Sequence, residues 1–325
     1  MKLAFIIDPI HKLDPCHDTS VAMMEAACIL GHEVWIAQAW ELSVLDSSAW
    51  AHLQQVDITP VELTDTGYKA ANPWYKLVGE KTNLSLETMD AVFMRTDPPV
   101  NDVYLYATYI LDYIDQSKTL VVNSPKGIRS ANEKMYALQF TEAIPETIVS
   151  ADKHLIRQFV DDKGAAILKP LGNKAGEGIL FLQPGDRNFN SIVELSTLQG
   201  KVPVMLQTFL PEAKQGDKRI ILLDSEPVGA LNRLSAPGEF RNNMAAGGTV
   251  AKTEITSRER EICTQLATTL QKDGLIFVGI DVIGGYLTEV NVTSPTGVRE
   301  IDRFSNTNLG KKFIEWVEQA VKNLM

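Results

Sequence analysis

Cysteine is scarce in this chain. Only Cys16, Cys28 and Cys263 occur, with no CxxC spacing, which argues against a disulfide framework and points to reduced thiols. The five histidines, at 11, 17, 32, 52 and 154, lack the short intervals of a zinc site. Long apolar runs are missing as well. No segment approaches the ~20 apolar residues of a membrane span, and the opening run Met1 to Ile10 is interrupted by Asp8 and Pro9. That run reads as a core strand rather than a secretory leader. A basic surplus is absent too: 31 Lys and Arg face 41 Asp and Glu, a net charge of -10. No nucleic-acid partner is therefore expected, although a local basic pocket for a nucleotide is allowed. There is no GxSxG elbow, no GxGxxG after the first strand and no GxxxxGK[ST] loop, which disfavours a serine hydrolase, a dinucleotide Rossmann site and a P-loop NTPase. A soluble, cytoplasmic protein with no membrane partner is expected.

What is present is ordinary for a globular enzyme: 45% apolar and 22% charged residues in 325 positions, enough for two or three packed α/β units. Lys2 to Ile7 reads as a buried strand, Val21 to Leu30 as a helix capped from Asp18, Thr19 or Ser20, and Glu33 to Ala37 as a second strand. This β-α-β opening is the unit of a parallel sheet. Ala91 to Met94 and Leu120 to Asn123 are further strands flanking a helix from Tyr104 to Asp115, whereas residues 64 to 88 are polar and give no clear period. Beyond residue 125 a helix is expected from Asn132-Glu133-Lys134 to Phe140. Strands are expected at Ala166 to Pro170, Ile179 to Leu182, Val204 to Phe209, Arg219 to Leu223, Phe277 to Ile283 and Leu287 to Val292, and helices at Arg258 to Lys272 and Lys311 to Leu324.

Four groups of residues can carry chemistry. Asp281, Glu289 and Asn291 lie on two successive strands around Gly284-Gly285, and all three offer hard oxygens suited to Mg²⁺. Asp281 and Glu289 reach one face only if the connection is odd, so a loop from Gly284 to Tyr286 with a bulge is expected; otherwise the pair is a solvated surface hairpin. Lys134 sits at a helix start, and Lys169 at a strand end before a loop containing Gly172, Gly176 and Gly178, where backbone N–H groups can approach an anion. Each lysine taken alone fits a solvated surface position. Gln207, Thr208, Phe209 and Leu210 end a strand and can present backbone groups to an adenine edge, with Asp217 and Arg219 close behind for ribose and phosphate. Arg95, Arg233, Arg241 and Arg299 suit planar recognition of carboxylates, Arg95 at the C-terminal end of a strand.

The runs Phe5-Ile6-Ile7-Asp8-Pro9, Met94 to Pro99, Asn132-Glu133-Lys134, Ile167 to Pro170, Gly216 to Arg219 and, above all, Gly274 to Glu300 occur in an order that resembles bacterial glutathione synthetase. The resemblance spans residues 3 to 318 and departs in the loop after Lys169, where the usual DGMGG is replaced by Gly172-Asn173-Lys174-Ala175-Gly176-Glu177-Gly178. It implies an α/β fold, α+β in its C-terminal part: an N-terminal parallel-sheet substrate domain over 1–124, then a two-part ATP-grasp fold over 125–203 and 204–325. It implies ligation of γ-glutamylcysteine to glycine with ATP and Mg²⁺ or Mn²⁺, in a homo-oligomer that is a tetramer or dimer. Lys134, Lys169, Gly176, Gly178, Gln207, Thr208, Phe209, Leu210 and Asp217 are implied in ATP binding, and Asp281, Glu289 and Asn291 in metal binding. Arg95, Arg241, Ser294, Thr296 and Arg299 are implied in substrate binding, with Arg219 and Arg233 as catalytic cations. With Gly238, Gly247 and Gly248 as hinges, residues 234 to 250 read either as a lid over a water-sensitive acyl phosphate or as a disordered surface loop. Two alternatives stay open on sequence alone: an ATP-grasp ligase for other substrates, and a nucleotide-binding module without turnover.

Overall fold

The computed structural model describes residues 1–65, 67–173, 176–236, 238, 241, 242 and 247–324. Three sheets organise it. The first has seven strands, in the order Leu42–Leu45, Ser48–Ile58, Glu33–Ala37, Lys2–Ile6, Ala91–Met94 and Leu120–Val122, with Tyr75–Ser85 paired to Ser48–Ile58. From Glu33–Ala37 to Leu120–Val122 all neighbours run parallel. Central parallel strands are covered on both faces, which is why KLAFI and AVFM read as nearly unbroken apolar runs.

The helix Thr19–Ile29 starts where the Asp18 carboxylate accepts from the Val21 N–H, the usual N-cap bond. It is apolar almost all round because it lies between this sheet and the helix Leu309–Leu324. The two helices touch closely at Gly310, where a Cβ would stand 2.6 Å from the Ala22 carbonyl oxygen. The polar stretch that gave no period, 64 to 88, contributes the long strand Tyr75–Ser85 and part of a small hairpin, Glu62–Thr64 with Gly67–Lys69. The hairpin residues are exposed or half-buried, and Tyr75–Ser85 has no fully buried position, so neither carries an inward-outward alternation.

The second sheet is antiparallel, in the order Thr147–Ser150, Val204–Thr208, Ala166–Pro170, Leu180–Leu182. The helices Lys153–Lys163 and Phe189–Ser196 cover one face around Ile156, Phe159, Leu168 and Phe189. The third sheet is also antiparallel: Thr249–Lys252, Glu226–Leu234, Asp217–Leu223, Phe277–Ile283, Tyr286–Asn291. Its covering helix, Ser257–Lys272, opens with a capping box in which Thr256 and Glu259 bond each other's backbone N–H. The expected arrangement of a parallel α/β unit followed by two antiparallel sheets is the one found.

Two local expectations need correction. The helix expected from Asn132 is only a 3₁₀ turn, Met135–Gln139, preceded by the short helix Pro125–Ser130. The Asn132 side chain accepts from Lys134 N and Met135 N, and the Glu133 carbonyl accepts from Val290 N; these bonds hold residues 132 to 134 out of a helix. The Gly284-Gly285 connection is a two-residue turn, not an odd loop, with both glycines at positive φ (+57° and +79°). The odd residue is Thr288: Val282 pairs Leu287 and Asp281 pairs Glu289, so a bulge inside the strand brings the two acids to one face.

The first and third sheets meet at Asn123. Its Nδ2 donates to the Phe277 and Val292 carbonyls at 2.9 and 2.8 Å, and its Oδ1 accepts from Ile276 N and Phe277 N, both at 2.8 Å. Asn123→Ala leaves those buried backbone groups without their partner and is expected to cost about 3 kcal/mol or more. Urea unfolding checks this; a loss below about 1 kcal/mol would show that the seam holds without the side chain.

Candidate active site

Strand pairing places the charged side chains. In an antiparallel sheet, residues directly opposite project to the same side. Asp217 is opposite Arg233, Arg219 is opposite Asp281, and Asp281 is opposite Glu289. Asp217 and Arg219 are two residues apart on one strand, so both rows share one face. The result is a buried ionic network facing the second sheet. Arg219 grips Asp281 through two bonds, Nε to Oδ1 at 2.5 Å and Nη2 to Oδ2 at 2.9 Å. Arg233 Nη2 lies 2.6 Å from Asp217 Oδ2 and 2.9 Å from Asp281 Oδ2.

Burial alone would raise the Asp281 carboxyl, but the two guanidinium groups outweigh it and hold Asp281 well below the usual carboxylate range. Among the described residues Asp217 bonds a single guanidinium, that of Arg233, with Arg219 and Lys169 acting on it from farther off. Burial dominates there and pushes it up to about 6, and its Oδ1 is buried with no hydrogen-bond partner. Asn291 completes the row, with Nδ2 donating to the Gly279 carbonyl at 3.2 Å and reaching Asp281 Oδ2 at 3.4 Å.

The second sheet contributes from the opposite side. Lys169 Nζ donates to Gln207 Oε1 at 2.6 Å and to the Thr288 carbonyl at 3.3 Å. Burial lowers its pKa, opposed by Glu289 and Asp217. Lys134, on the turn after Asn132, donates to the Asn173 carbonyl at 2.7 Å and lies 3.1 Å from Glu289 Oε1. Four cations (Lys134, Lys169, Arg219, Arg233) thus face three carboxylates (Asp217, Asp281, Glu289). A chain of charge -10 carries a site with one positive charge in excess.

A cavity with about 690 Å³ of non-protein space opens between the two antiparallel sheets. Lys169, Asp217, Asp281 and Glu289 form its polar end, and Gln207, Thr208, Phe209 and Leu210 run along its wall. Pro145, Ile167, Ile179 and Ile283 supply apolar surface that sequence reasoning did not single out. A β-branched residue at each of three strand or strand-adjacent positions was the only available signal. Gly176 and Gly178 both have positive φ, and a Cβ on Gly178 would meet Pro170 at 2.9 Å. Lys174 and Ala175 of that loop lie outside the described residues, as do 237, 239, 240 and 243–246 of the expected lid. Within the lid segment, Arg241 Nη1 donates to the Gly176 carbonyl at 3.2 Å, and Arg241 and Asn242 line the cavity.

The remaining expected residues lie outside this cavity. Arg95 is buried, donating to Ser20 Oγ and to the Pro295 carbonyl, both at 3.1 Å. It braces the Ser294–Gly297 loop, whose Thr296 carbonyl accepts from Arg219 at 3.4 Å. Arg299 forms a two-bond pair with Glu25 on the first helix and lines a separate, smaller cavity. Glu133 was named in the sequence only as part of the run Asn132-Glu133-Lys134 and given no role of its own. Its Oε1 accepts from Val292 N, Thr293 N and Thr293 Oγ1, tying the lysine turn to the strand that carries Glu289 and Asn291.

Comparison with known proteins agrees with this geometry. Residues 1–129 match the family profile described as prokaryotic glutathione synthetase, N-terminal domain, and residues 133–306 match its ATP-grasp domain. The glutathione synthetase of a Nostoc species is 76% identical over 322 residues, covering 99% of each chain. That of a Synechocystis species is 62% identical over 319 residues, covering 98% of this chain and 99% of the relative. Among solved structures, D-cycloserine synthetase DcsG superposes with a TM-score of 0.65 at 13% identity over 100% of both chains. The ATP-grasp ligase PsnB, solved with a minimal precursor, Mg and ADP, superposes with a TM-score of 0.61 at 15% identity over 99% and 98%. These two establish the shared fold.

The ionic network makes a stability prediction. Asp281→Asn leaves Arg219 and Arg233 buried with one carboxylate fewer, and is expected to cost about 3–5 kcal/mol in the nucleotide-free protein. Glu289→Gln, with a less buried side chain, is expected to cost about 1 kcal/mol or less. Equal losses in urea unfolding would contradict this ranking.

Proposed function

The chain belongs to the prokaryotic glutathione synthetase family, and we propose that its buried ionic network joins the cysteinyl carboxylate of γ-glutamylcysteine to the amine of glycine, with ATP cleaved to ADP and phosphate. The observation that carries this reading is the cavity between two antiparallel sheets, apolar along its length and positive in excess at its end. The relatives' name removes the two alternatives weighed on sequence alone, a ligase for other substrates and a module without turnover.

In this reading the adenine lies against Ile167, Ile179 and Phe209, and a ribose hydroxyl donates to the partnerless Asp217 Oδ1. Lys134 and Lys169 turn from their neutral carbonyl and amide partners to the phosphate oxygens. The donor carboxylate oxygen attacks the γ-phosphorus. An O–P bond forms, and the bond to ADP breaks with its electrons leaving on ADP. The glycine amine, in its neutral form, then attacks the acyl carbon, the C–O bond to phosphate breaks, and the nitrogen loses its extra proton to solvent. Bringing a carboxylate to a triphosphate is opposed by like charge, and preorganised cations reduce that barrier without reorganising at the moment of reaction. The N–H groups of Arg219 and Arg233 not committed to Asp217 and Asp281 serve the developing oxyanion.

Asp281, Glu289 and Asn291 form a hard-oxygen donor set of two carboxylates and one amide on one face, which fits Mg²⁺ or Mn²⁺ with phosphate oxygens completing the shell. Such an ion supplies further charge neutralisation at the β- and γ-phosphates. In the same reading Arg241, which donates to the Gly176 carbonyl, holds the 234–250 segment over bound ATP and keeps water from the acyl phosphate.

Purified protein with MgATP, γ-glutamylcysteine and glycine is expected to release ADP only when both substrates are present, with glutathione identified by mass spectrometry. ADP release that ignores either substrate would overturn the assignment. Lys169→Met and Glu289→Gln are each expected to lower kcat by roughly 10²–10³, about 3–4 kcal/mol of barrier; a loss smaller than tenfold would remove that residue from the role given it here. Limited proteolysis within 234–250 is expected to slow when ATP binds, and equal rates with and without ATP would rule out closure.

A further inference from the structure

Behind the wall of the nucleotide cavity lies a relay of hydrogen bonds. In the second sheet Thr147 is opposite Gln207, and Gln207 is opposite Ile167, so their side chains form one row across the sheet. Lys169, two residues beyond Ile167 on the same strand, projects to the same side. Pro145, Ile167, Lys169 and Gln207 line the cavity, whereas Thr147 does not. Thr147 reaches the cavity only through Gln207.

The relay has one possible direction. The Lys169 ammonium can only donate, so the Gln207 atom facing it at 2.6 Å is the amide oxygen. The amide nitrogen is then the atom 3.2 Å from Thr147 Oγ1, and it can only donate. The threonine oxygen therefore accepts, and its own proton goes to the Pro145 carbonyl at 2.7 Å. An ammonium fixes one end of the relay and a carbonyl fixes the other. Gln207 is only 3% exposed, so bulk water does not compete for the amide. The result is a glutamine that turns its oxygen, and not its nitrogen, to the cavity side.

In the reaction proposed above, the ammonium anchor is lost when Lys169 turns to the phosphate oxygens. Among the described residues, Thr147 is then the remaining side-chain partner of the Gln207 amide, and Pro145 holds its hydroxyl in the accepting orientation. Ile167, against which the base lies, is the neighbour of Gln207 in the row. A base stacked there has the amide oxygen beside its edge. An acceptor in that place complements an exocyclic amine and repels an exocyclic carbonyl.

We propose that Thr147 is a positioning residue for base selection: by holding the Gln207 amide with its oxygen toward the cavity, it favours a purine with an exocyclic amine over one with an exocyclic carbonyl. The inference rests on the nucleotide reading of the cavity and extends it to a residue outside the lining. Without the hydroxyl, the amide turns over once Lys169 has left and offers its N–H to the carbonyl of the wrong base. Thr147→Val removes the hydroxyl and keeps the branched shape that suits a strand; Thr147→Ser keeps the hydroxyl.

Equilibrium titration of MgATP and MgITP into the full chain, with neither amino-acid substrate present, tests this. The unsubstituted chain is expected to bind ATP more tightly than ITP by a factor of about 100 or more. Thr147→Val is expected to narrow that ratio about tenfold, the equivalent of one hydrogen bond, and Thr147→Ser to keep it. Both nucleotides meet the same folded fraction of a variant, so the ratio is insensitive to a loss of stability. A Thr147→Val chain with the unsubstituted ratio overturns the inference, as does a Thr147→Ser chain that loses the preference equally, or an unsubstituted chain that binds ATP and ITP alike. Each of these leaves the ligase reading standing. Binding of neither nucleotide overturns the nucleotide reading of the cavity and this inference with it.

Discussion

One carboxylate held by two guanidinium groups governs the rest of the site. Asp281 is opposite Arg219 and within reach of Arg233, and Arg233 in turn holds Asp217. None of these charges could be buried alone, since removing an ion from water costs far more than a surface pair returns. Together they neutralise one another and fix three strands in a single register. A slip of one residue would carry every one of these side chains to the opposite face of the sheet. The register that the network enforces is therefore the same register that puts Glu289 and Asn291 on the face turned to Lys134 and Lys169.

How much of this was legible follows from where the information resides. The apolar runs at 2–6, 91–94 and 277–283 declare strands because both of their faces are buried. The residues Lys134, Lys169, Asp217, Asp281 and Glu289 could be chosen by type and by family resemblance, and the fold brings them into one network. A bulge was expected from the parity of the pairing but in the loop; its place at Thr288 could not be read, because no local residue preference marks it. Strand Glu226–Leu234 escaped notice although it carries Arg233, since Pro227, Gly229 and Asn232 obscure its alternation. Arg299 was legible as a carboxylate-seeking residue but not as the partner of Glu25, which is 274 positions away in sequence.

The charge distribution divides labour between surface and site. A net charge of -10 keeps the surface predominantly acidic, which suits solubility and discourages polyanions. A positive cluster buried at the end of an apolar cavity concentrates field lines inward. Such a field favours an anion at that one place over the surface at large. Glu133 adds mechanical coupling: by tying residues 292 and 293 to the lysine turn, it makes any shift of Lys134 felt at Asn291.

The helix Leu309–Leu324 covers Thr19–Ile29, yet two complete sheets separate them along the chain. During synthesis, then, the apolar outer face of the first helix emerges from the ribosome long before its cover exists. The N-terminal unit cannot be finished domain by domain in the order of translation. Its last layer is supplied by a helix that begins only at Leu309, and until that helix is made the Met and Ala surface of the first helix lacks its packing partner.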